Sequence, residues 1–542
     1  MQQRLLCALD GALAGRPLGW LVQQRLLHPL GGAWLRRPLG WLVQQRLLHP
    51  LDGALLLRPL AWLVQQRLLH PLEGALLRRP LGWLVQQRQL RALGGGSHGL
   101  ERNNLPKKRR QMKKMFTMVV VALASTLGWA QTTLWQTDTA RHEYYRIPAI
   151  VAYDEQVIAF SDNRSGVTDA TSWGDVGSVG NISIEVRRSK DGGRTWGTAE
   201  CAVRGFGSGG FDQSHGDAAV VRDRRTGRML IMTGSGEVGY GRSRVTTPGD
   251  YSEALKVGRY YSDDDGQTWR GGEVTQEIYD MYRGHGNIYR LFFTSGKICQ
   301  SSLVKRGAYQ RIYSAVVTNE GSLVVYSDDF GGTWKPLGGA DARPAPEGDE
   351  AKIEELPDGR VLLSCRRGGK EGRCFNIYTY ENKKYNSGSW ATAVASEAED
   401  GGTATLNNNT NGEILLVPAK AVGGKRVYVA LQSVPRGSKG DHPSNLERRS
   451  HVSIYWKAFG GAEDWRTPED WADGWKRYEV TDGKSAYSTM AIGGDGTIRF
   501  IYEDEGVRFR LGSQWTEMYN ILYRNLTLRE ITGGEYEYSK HK

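Results

Sequence analysis

Arginines, carboxylates and a tyrosine stand at the ends of short apolar runs, where a strand would carry a side chain to the rim of a sheet. Arg146 lies in YYRIPAIVAY, Arg164 in SDNRSG, and Asp217 opens the apolar stretch of SHGDAAVV. Asp169 and Asp175 sit in the Gly-rich segment GVTDATSWGDVGSVG. Glu350 and Arg366 bracket GDEAKIEELPDGRVLLSCRR, Arg449 precedes VSIYWK, Tyr487 precedes STMAI, and Glu503 ends the run in TIRFIYEDE. Guanidinium groups grip carboxylates through charge-assisted, often bidentate hydrogen bonds. A tyrosine held by a glutamate is a nucleophile beside its base. Taken singly, each has a plainer reading: a lone Arg is usually a solvated charge, and most of 25 tyrosines must fill cores and interfaces. Local pattern does tie Glu350 to Arg366. They lie sixteen residues apart across a Pro-Asp-Gly turn, and a hairpin returns its two strand ends to one edge. Glu354 and Glu355, near the turn, read as solvated acids, and Arg367 competes with Arg366.

These residues need a scaffold of strands. From Gln131 onward, alternating apolar runs such as RMLIMTGSG, GSLVVYSDDFGG, RVYVALQSV and TIRFIYEDEG are punctuated by Gly and Asp. Segments with helical period are scarce, so the class is all-β. One motif narrows it. SKDGGRTW at 189–196, SDDDGQTW at 262–269 and SDDFGGTW at 327–334 share the pattern S-x-D-x-G-x-T-W, with starts 73 and 65 residues apart. The spacing suits a blade of several strands. In each copy Ser and Asp bond turn backbone, Gly permits a positive φ, and Trp packs between neighbouring sheets. Those roles are structural.

The rest of the chain differs in kind. The formal net charge is +12, but residues 1–130 hold 19 Lys and Arg against 4 acids, and the remainder is net −3. The basic excess therefore belongs to the prefix and does not argue for nucleic-acid binding. Residues 1–111 contain a nearly repeated 21-residue unit beginning at Arg16, Arg37, Arg58 and Arg79. Two prolines and a Gly per unit limit any helix. A start at Met112 or Met115 is the preferred reading of this prefix, the repeats then being translated DNA with no selected fold. Residues 112–130 have a basic start at Lys113 and Lys114, an apolar stretch too short to span a bilayer, and small residues Gly128 and Ala130 before Gln131. Cleavage before Gln131 and export are expected, with no membrane span afterwards. Cys201, Cys299, Cys365 and Cys374 form neither a disulfide framework nor a zinc pattern, although Cys365 and Cys374 could pair.

The three turns resemble the Asp-boxes of the bacterial sialidases (neuraminidases, glycoside hydrolase family 33), and the resemblance covers about residues 135–530. It implies a six-bladed β-propeller of four-stranded antiparallel sheets, residues 131–542, with its site at the central axis. It also implies an exo-α-sialidase that needs no cofactor or metal. The substrates would be sialylated glycans: glycoproteins, glycolipids and oligosaccharides. Sialic acid bears a carboxylate at its reacting carbon. A neutral tyrosine avoids the repulsion that an acidic nucleophile would meet, which is the family's departure from the two-carboxylate scheme. The resemblance makes Arg146, Arg366 and Arg449 the carboxylate clamp and Arg164 a further pocket arginine. Arg448 and Arg436 are rivals for the third arm. Tyr487 would be the nucleophile, Glu350 its base, and Glu503 the support of Arg146. Asp175 would be the acid/base, with Asp169 the alternative, and Asp217 would contact a sugar hydroxyl or simply end a strand. Two other readings stay open. One is a trans-sialidase passing the sugar to a galactoside, for which Trp173 and the tryptophans after Trp456 leave room. The other is a propeller that binds sialoglycans without turnover.

Overall fold

The computed structural model describes residues 131–169, 179–382, 384–406, 410–440 and 444–540. The repeats at 1–111, the export signal at 112–130 and Asp175 lie outside the described residues. Strand β1 (Thr132–Trp135) precedes six blades. The first holds β2 (Tyr145–Tyr153), β3 (Gln156–Asp169), β4 (Val179–Ser189) and β5 (Glu200–Val203). The second holds β6 (His215–Arg222), β7 (Met229–Ser235), β8 (Lys256–Ser262) and β9 (Arg270–Glu273). The third is built on β13 (Tyr309–Thr318), β14 (Gly321–Ser327) and β15 (Lys335–Pro336). Its first strand is broken into β10 (Leu291–Phe293) and β12 (Cys299–Arg306), which pair with opposite ends of β13. The piece between them, β11 (Gly296–Lys297), leaves to pair parallel with β6.

The fourth blade holds β16 (Gly348–Glu355), β17 (Val361–Arg367), β18 (Arg373–Tyr380), β19 (Gly388–Trp390) and β20 (Val394–Ser396). The fifth holds β21 (Ile414–Ala421), β22 (Arg426–Pro435), β23 (Val452–Phe459) and β24 (Lys476–Glu479). The sixth holds β25 (Ser488–Ile492), β26 (Ile498–Leu511) and β27 (Gln514–Leu526). Blades six and one touch in register only at Tyr145 and Tyr519. The expected plan of four antiparallel strands per blade is met, the sixth blade taking β1 as its fourth, with some departures. β1 adds to β27, β28 (Tyr536–Tyr538) adds to β21, and the parallel β11–β6 pair is an exception to the antiparallel rule.

The repeated turns are built alike. Ser189, Ser262 and Ser327 each donate to the Asp two residues on, at 2.7–2.8 Å, and accept from the backbone N–H of the motif Gly. Each Asp accepts from the backbone N–H and the hydroxyl of the motif Thr. Left-handed backbone is needed at Gly193, Gly266 and Gly331, and also one residue earlier, where Asp265 and Phe330 adopt it without being Gly. Trp196 meets Tyr523 of blade six at 4.9 Å, and Trp269 meets Phe160 of blade one at 6.0 Å. Each ring thus leans on the preceding blade, burying aromatic surface where two sheets meet.

The turn carboxylates of Asp191 and Asp264 are held down to about 2 by hydrogen bonds from Thr195 and Thr268. A depressed carboxylate stabilises fully above its unfolded value and loses that contribution as pH falls through the folded one. We expect Asp264→Ala to lower stability by about 2 kcal/mol at neutral pH through lost turn hydrogen bonds. Against the parent, the difference should shrink between about pH 4 and pH 2, as read by thermal unfolding across that range.

Candidate active site

Blades one, two, four and six each carry a two-for-one bulge where a strand carries candidate site residues or their supports. Ile147 and Pro148 lie opposite Ser161, Asp217 and Ala218 opposite Thr233, Asp349 and Glu350 opposite Arg366, and Glu505 and Gly506 opposite Tyr519. An extra residue bends the strand and re-aims its side chains. Three of the bulges place a residue other than Gly in left-handed backbone: Ile147 (φ 56), Asp217 (φ 56) and Glu505 (φ 51). For β-branched Ile147 that conformation is costly and must be held by its surroundings.

Glu503, on β26 and fully buried, holds it. Its carboxylate accepts from the Ile147 backbone N–H at 2.8 Å, from Arg146 Nε at 2.8 Å and Nη2 at 3.2 Å, and from the Tyr487 backbone N–H at 3.0 Å. The Glu503 N–H donates back to the Tyr487 carbonyl at 2.9 Å. Burial pushes the Glu503 carboxyl up, but the Arg146 charge and these hydrogen bonds outweigh it and hold the group below the ordinary range. Burial likewise disfavours the Arg146 charge, and Glu503 more than restores it.

Three guanidinium groups gather at Tyr487. Arg366 Nη1 donates to the Tyr487 hydroxyl at 3.1 Å and to Glu350 Oε2 at 2.6 Å, while its Nε lies 3.3 Å from Asp349 Oδ2. The guanidinium carbons of Arg146 and Arg449 lie 5.1 and 5.7 Å from the centre of the Tyr487 ring. Of the candidates for the third arm, Arg449 is the one held at Tyr487. It caps the short helix Asn445–Arg448, and its carbonyl accepts from the Ser485 N–H in the loop that leads to Tyr487. Arg448 instead donates to Asn445 Oδ1 at 2.9 Å, and the Arg436 backbone N–H bonds the His451 carbonyl. Burial drives the Tyr487 hydroxyl well above the usual phenol value, Glu350 adds to the rise, and the three arginines oppose it. Tyr487 at rest is thus a protonated phenol. Burial also raises Glu350, with Asp349 adding to it, against the pull of Arg366 and of a hydrogen bond with Tyr487.

Arg164 is wholly buried and bonds Asp162 at 2.9 Å. The other oxygen of Asp162 accepts from the Asp217 backbone N–H at 3.0 Å, so this pair supports the blade-two bulge. Asp217 itself is half-buried. Asp169 ends β3 with its backbone opposite Val179. Sequence reasoning passed over Asp162, Asp349 and Tyr519. Asp162 stands two residues before Arg164, on the same face of a strand, and Asp349 adjoins Glu350. Tyr519, whose ring lies 5.3 Å from the Arg146 guanidinium, has no local signal. Cys365 and Cys374 face each other across β17 and β18 as free thiols. Among the described residues, no group of three His, Cys, Asp or Glu side chains is placed to hold a metal ion, and no helix is long and apolar enough to cross a membrane.

The fold is found among known proteins. No family model matches the chain. It is 31% identical over 240 residues to a sialidase of Micromonospora viridifaciens, spanning 42% of this chain and 33% of that protein. It is 26% identical over 236 residues to a sialidase of Bacteroides fragilis (strain YCH46), spanning 42% of this chain and 40% of that protein. The matched part is thus less than half the length of either relative. Among solved structures, it is similar to an intramolecular trans-sialidase of Ruminococcus gnavus, with TM-score 0.54 and 18% identity over 74% of this chain and 98% of the other. It is similar to the NanB sialidase of Streptococcus pneumoniae, with TM-score 0.54 and 14% identity over 74% and 71%. The fold is that of the sialidase propellers. In sequence over part of its length, and in fold, the chain is similar to bacterial sialidases.

Removing the Glu503 charge leaves Arg146 buried without its partner. We expect Glu503→Gln to destabilise the protein by about 3 kcal/mol at neutral pH, read by urea denaturation. Because Glu503 is depressed, its contribution is complete above the ordinary glutamate range and fades as pH falls below it. The variant's stability should lack that limb.

Proposed function

We propose that the chain is an exo-α-sialidase that hydrolyses terminal sialic acids from glycoproteins, glycolipids and oligosaccharides, with retention at the anomeric carbon. The observation that carries this reading is the set of three guanidinium groups around one buried tyrosine, Arg366 on its hydroxyl and Arg146 and Arg449 by its ring, with Glu350 on the same Arg366. A site of that composition attracts an anion and offers it a neutral nucleophile. In this reading Arg146, Arg366 and Arg449 take the substrate carboxylate. The Tyr487 oxygen attacks the anomeric carbon as its proton passes to Glu350, and the C–O bond to the aglycone breaks. Asp175 supplies the leaving oxygen with a proton and then takes one from the water that attacks the anomeric carbon, while the bond to the Tyr487 oxygen breaks and Glu350 returns its proton to that oxygen. Asp217 lines the sugar's surroundings, and Arg164 acts behind it through Asp162. The mature chain would begin at Gln131 and be exported.

The Ruminococcus gnavus neighbour is described as an intramolecular trans-sialidase, so transfer is the second reading. Hydrolysis of a fluorogenic α-sialoside, with lactose in a parallel tube, tests both. Free sialic acid at a rate indifferent to lactose supports the hydrolase, and sialyl-lactose supports the transferase. Retained sialoside binding without turnover would make the chain a binding propeller. Tyr487→Phe should lower kcat on the order of a thousandfold or more with thermal stability little changed. Near-normal turnover in that variant would overturn the assignment.

A further inference from the structure

We infer that Lys352, two residues beyond Glu350 on the same face of β16, is a positioning residue that keeps the Glu350 carboxylate ionised. The inference rests on the reading of Glu350 as the base for Tyr487. Side chains alternate along a strand, so Glu350, Lys352 and Glu354 share one face of β16. The other face, with Ala351 and Ile353, packs into the core shared with blade three. Lys352 is 2% exposed, and among the described residues its Nζ has no hydrogen-bond partner. It lies over Gly296, in left-handed backbone at φ 97, where a Cβ would stand 2.6 Å from Nζ and 3.5 Å from Glu413 Oε2. A side chain at residue 296 would therefore crowd the ammonium where it now lies.

The charges facing this space come from β11, from β16 and β18, and from the residue before β21. Lys297 on β11 is matched by an ion pair with Glu354 and lies 3.8 Å from Glu413 Oε1. Glu413, next to β21, also accepts from Thr489 Oγ1 at 2.9 Å and from the N–H groups of Ile414 at 3.1 Å and Lys297 at 3.3 Å. Arg373 on β18, 1% exposed, donates to neutral oxygens of Ser364 and Thr410. Three cations, Lys297, Lys352 and Arg373, thus stand against Glu354, Glu413 and Glu350. The third carboxylate is the proposed base. Arg366 pairs with it directly at 2.6 Å and shares its charge with Asp349 at 3.3 Å. Glu350 acts electrostatically on both Lys352 and Arg373, and burial lowers Lys352 to about 8, which leaves it charged at neutral pH. A carboxylate buried in this way needs more compensating charge than an arginine shared with Asp349 supplies, and Lys352 adds it from beneath.

The test reads Glu350 directly in the intact protein. The infrared band of its protonated carboxyl is identified as the band that Glu350→Gln lacks, and is titrated with pH in wild type, Lys352→Met, Lys352→Gln and Lys352→Arg. The charge-removing variants should raise the midpoint by about one pH unit. The acid limb of kcat/KM should move with it, giving about tenfold lower kcat/KM below the limb and near-normal values above it. Lys352→Arg should restore both. An unmoved midpoint in Met and Gln overturns the inference, as does equal loss in all three variants accompanied by lower thermal stability. A raised midpoint in a protein without sialoside turnover supports the charge coupling and overturns the reading of Glu350 as a base.

Discussion

A single buried carboxylate, Glu503, joins two ends of the propeller: it accepts from Arg146 and Ile147, more than 350 residues before it, and from Tyr487, 16 residues before it. Two problems are met at once. Three guanidinium groups cannot share a site without a counter-charge, and a buried carboxylate cannot stay ionised without donors. Glu503 supplies the first and receives the second. Its bonds to Ile147 and Tyr487 are made to backbone, so they fix where two chain segments run as well as how one arginine points. The strained Ile147 is tolerated for the same reason: its N–H has a charged acceptor waiting.

The propeller turns this local fixation into a site. Sheets packed face to face would send their edge residues along regular directions, and a regular edge does not converge on one small anion. The bulges on four blades break the regularity at the rim and leave the remaining registers intact. Two carboxylates, Asp349 and Glu350, can then face the one guanidinium of Arg366. The S-x-D-x-G-x-T-W turns, at other corners of the blades, hold the rigid parts. Their Trp rings join one sheet to the next, so an adjustment in one blade is registered against its neighbour.

Much of this was legible in residues alone, because the signals were local. The turn motif names its own hydrogen bonds, and the Pro-Asp-Gly hairpin ties Glu350 to Arg366. What escaped was non-local or a matter of register. Nothing near Tyr519 in the chain announces that it stacks beneath Arg146. Asp162 was hidden because its partner in the second blade is a backbone N–H, which any residue supplies. The hairpin argument placed Glu350 and Arg366 on one edge but could not reveal the extra residue that lets Asp349 reach the same arginine. Rivalry among Arg449, Arg448 and Arg436 was undecidable from type and spacing, since a short helix and its cap determine which of them turns toward Tyr487.

The pairing of β1 with β27 has a consequence for how the molecule comes to exist. Thr132 meets Tyr523, and Thr133 meets Leu522, so the ring is closed by strands from opposite ends of the described chain. Contacts of such separation are the slowest to form, because loop-closure entropy is spent before they return anything. During synthesis the earlier blades can assemble while β1 waits, unpaired, for nearly four hundred residues to emerge. Until then one edge of the nascent molecule is an open strand, the kind of surface that recruits other chains. The unclosed ring is therefore the form of the propeller whose strand edge is open to other chains, and β1 is the strand that covers it.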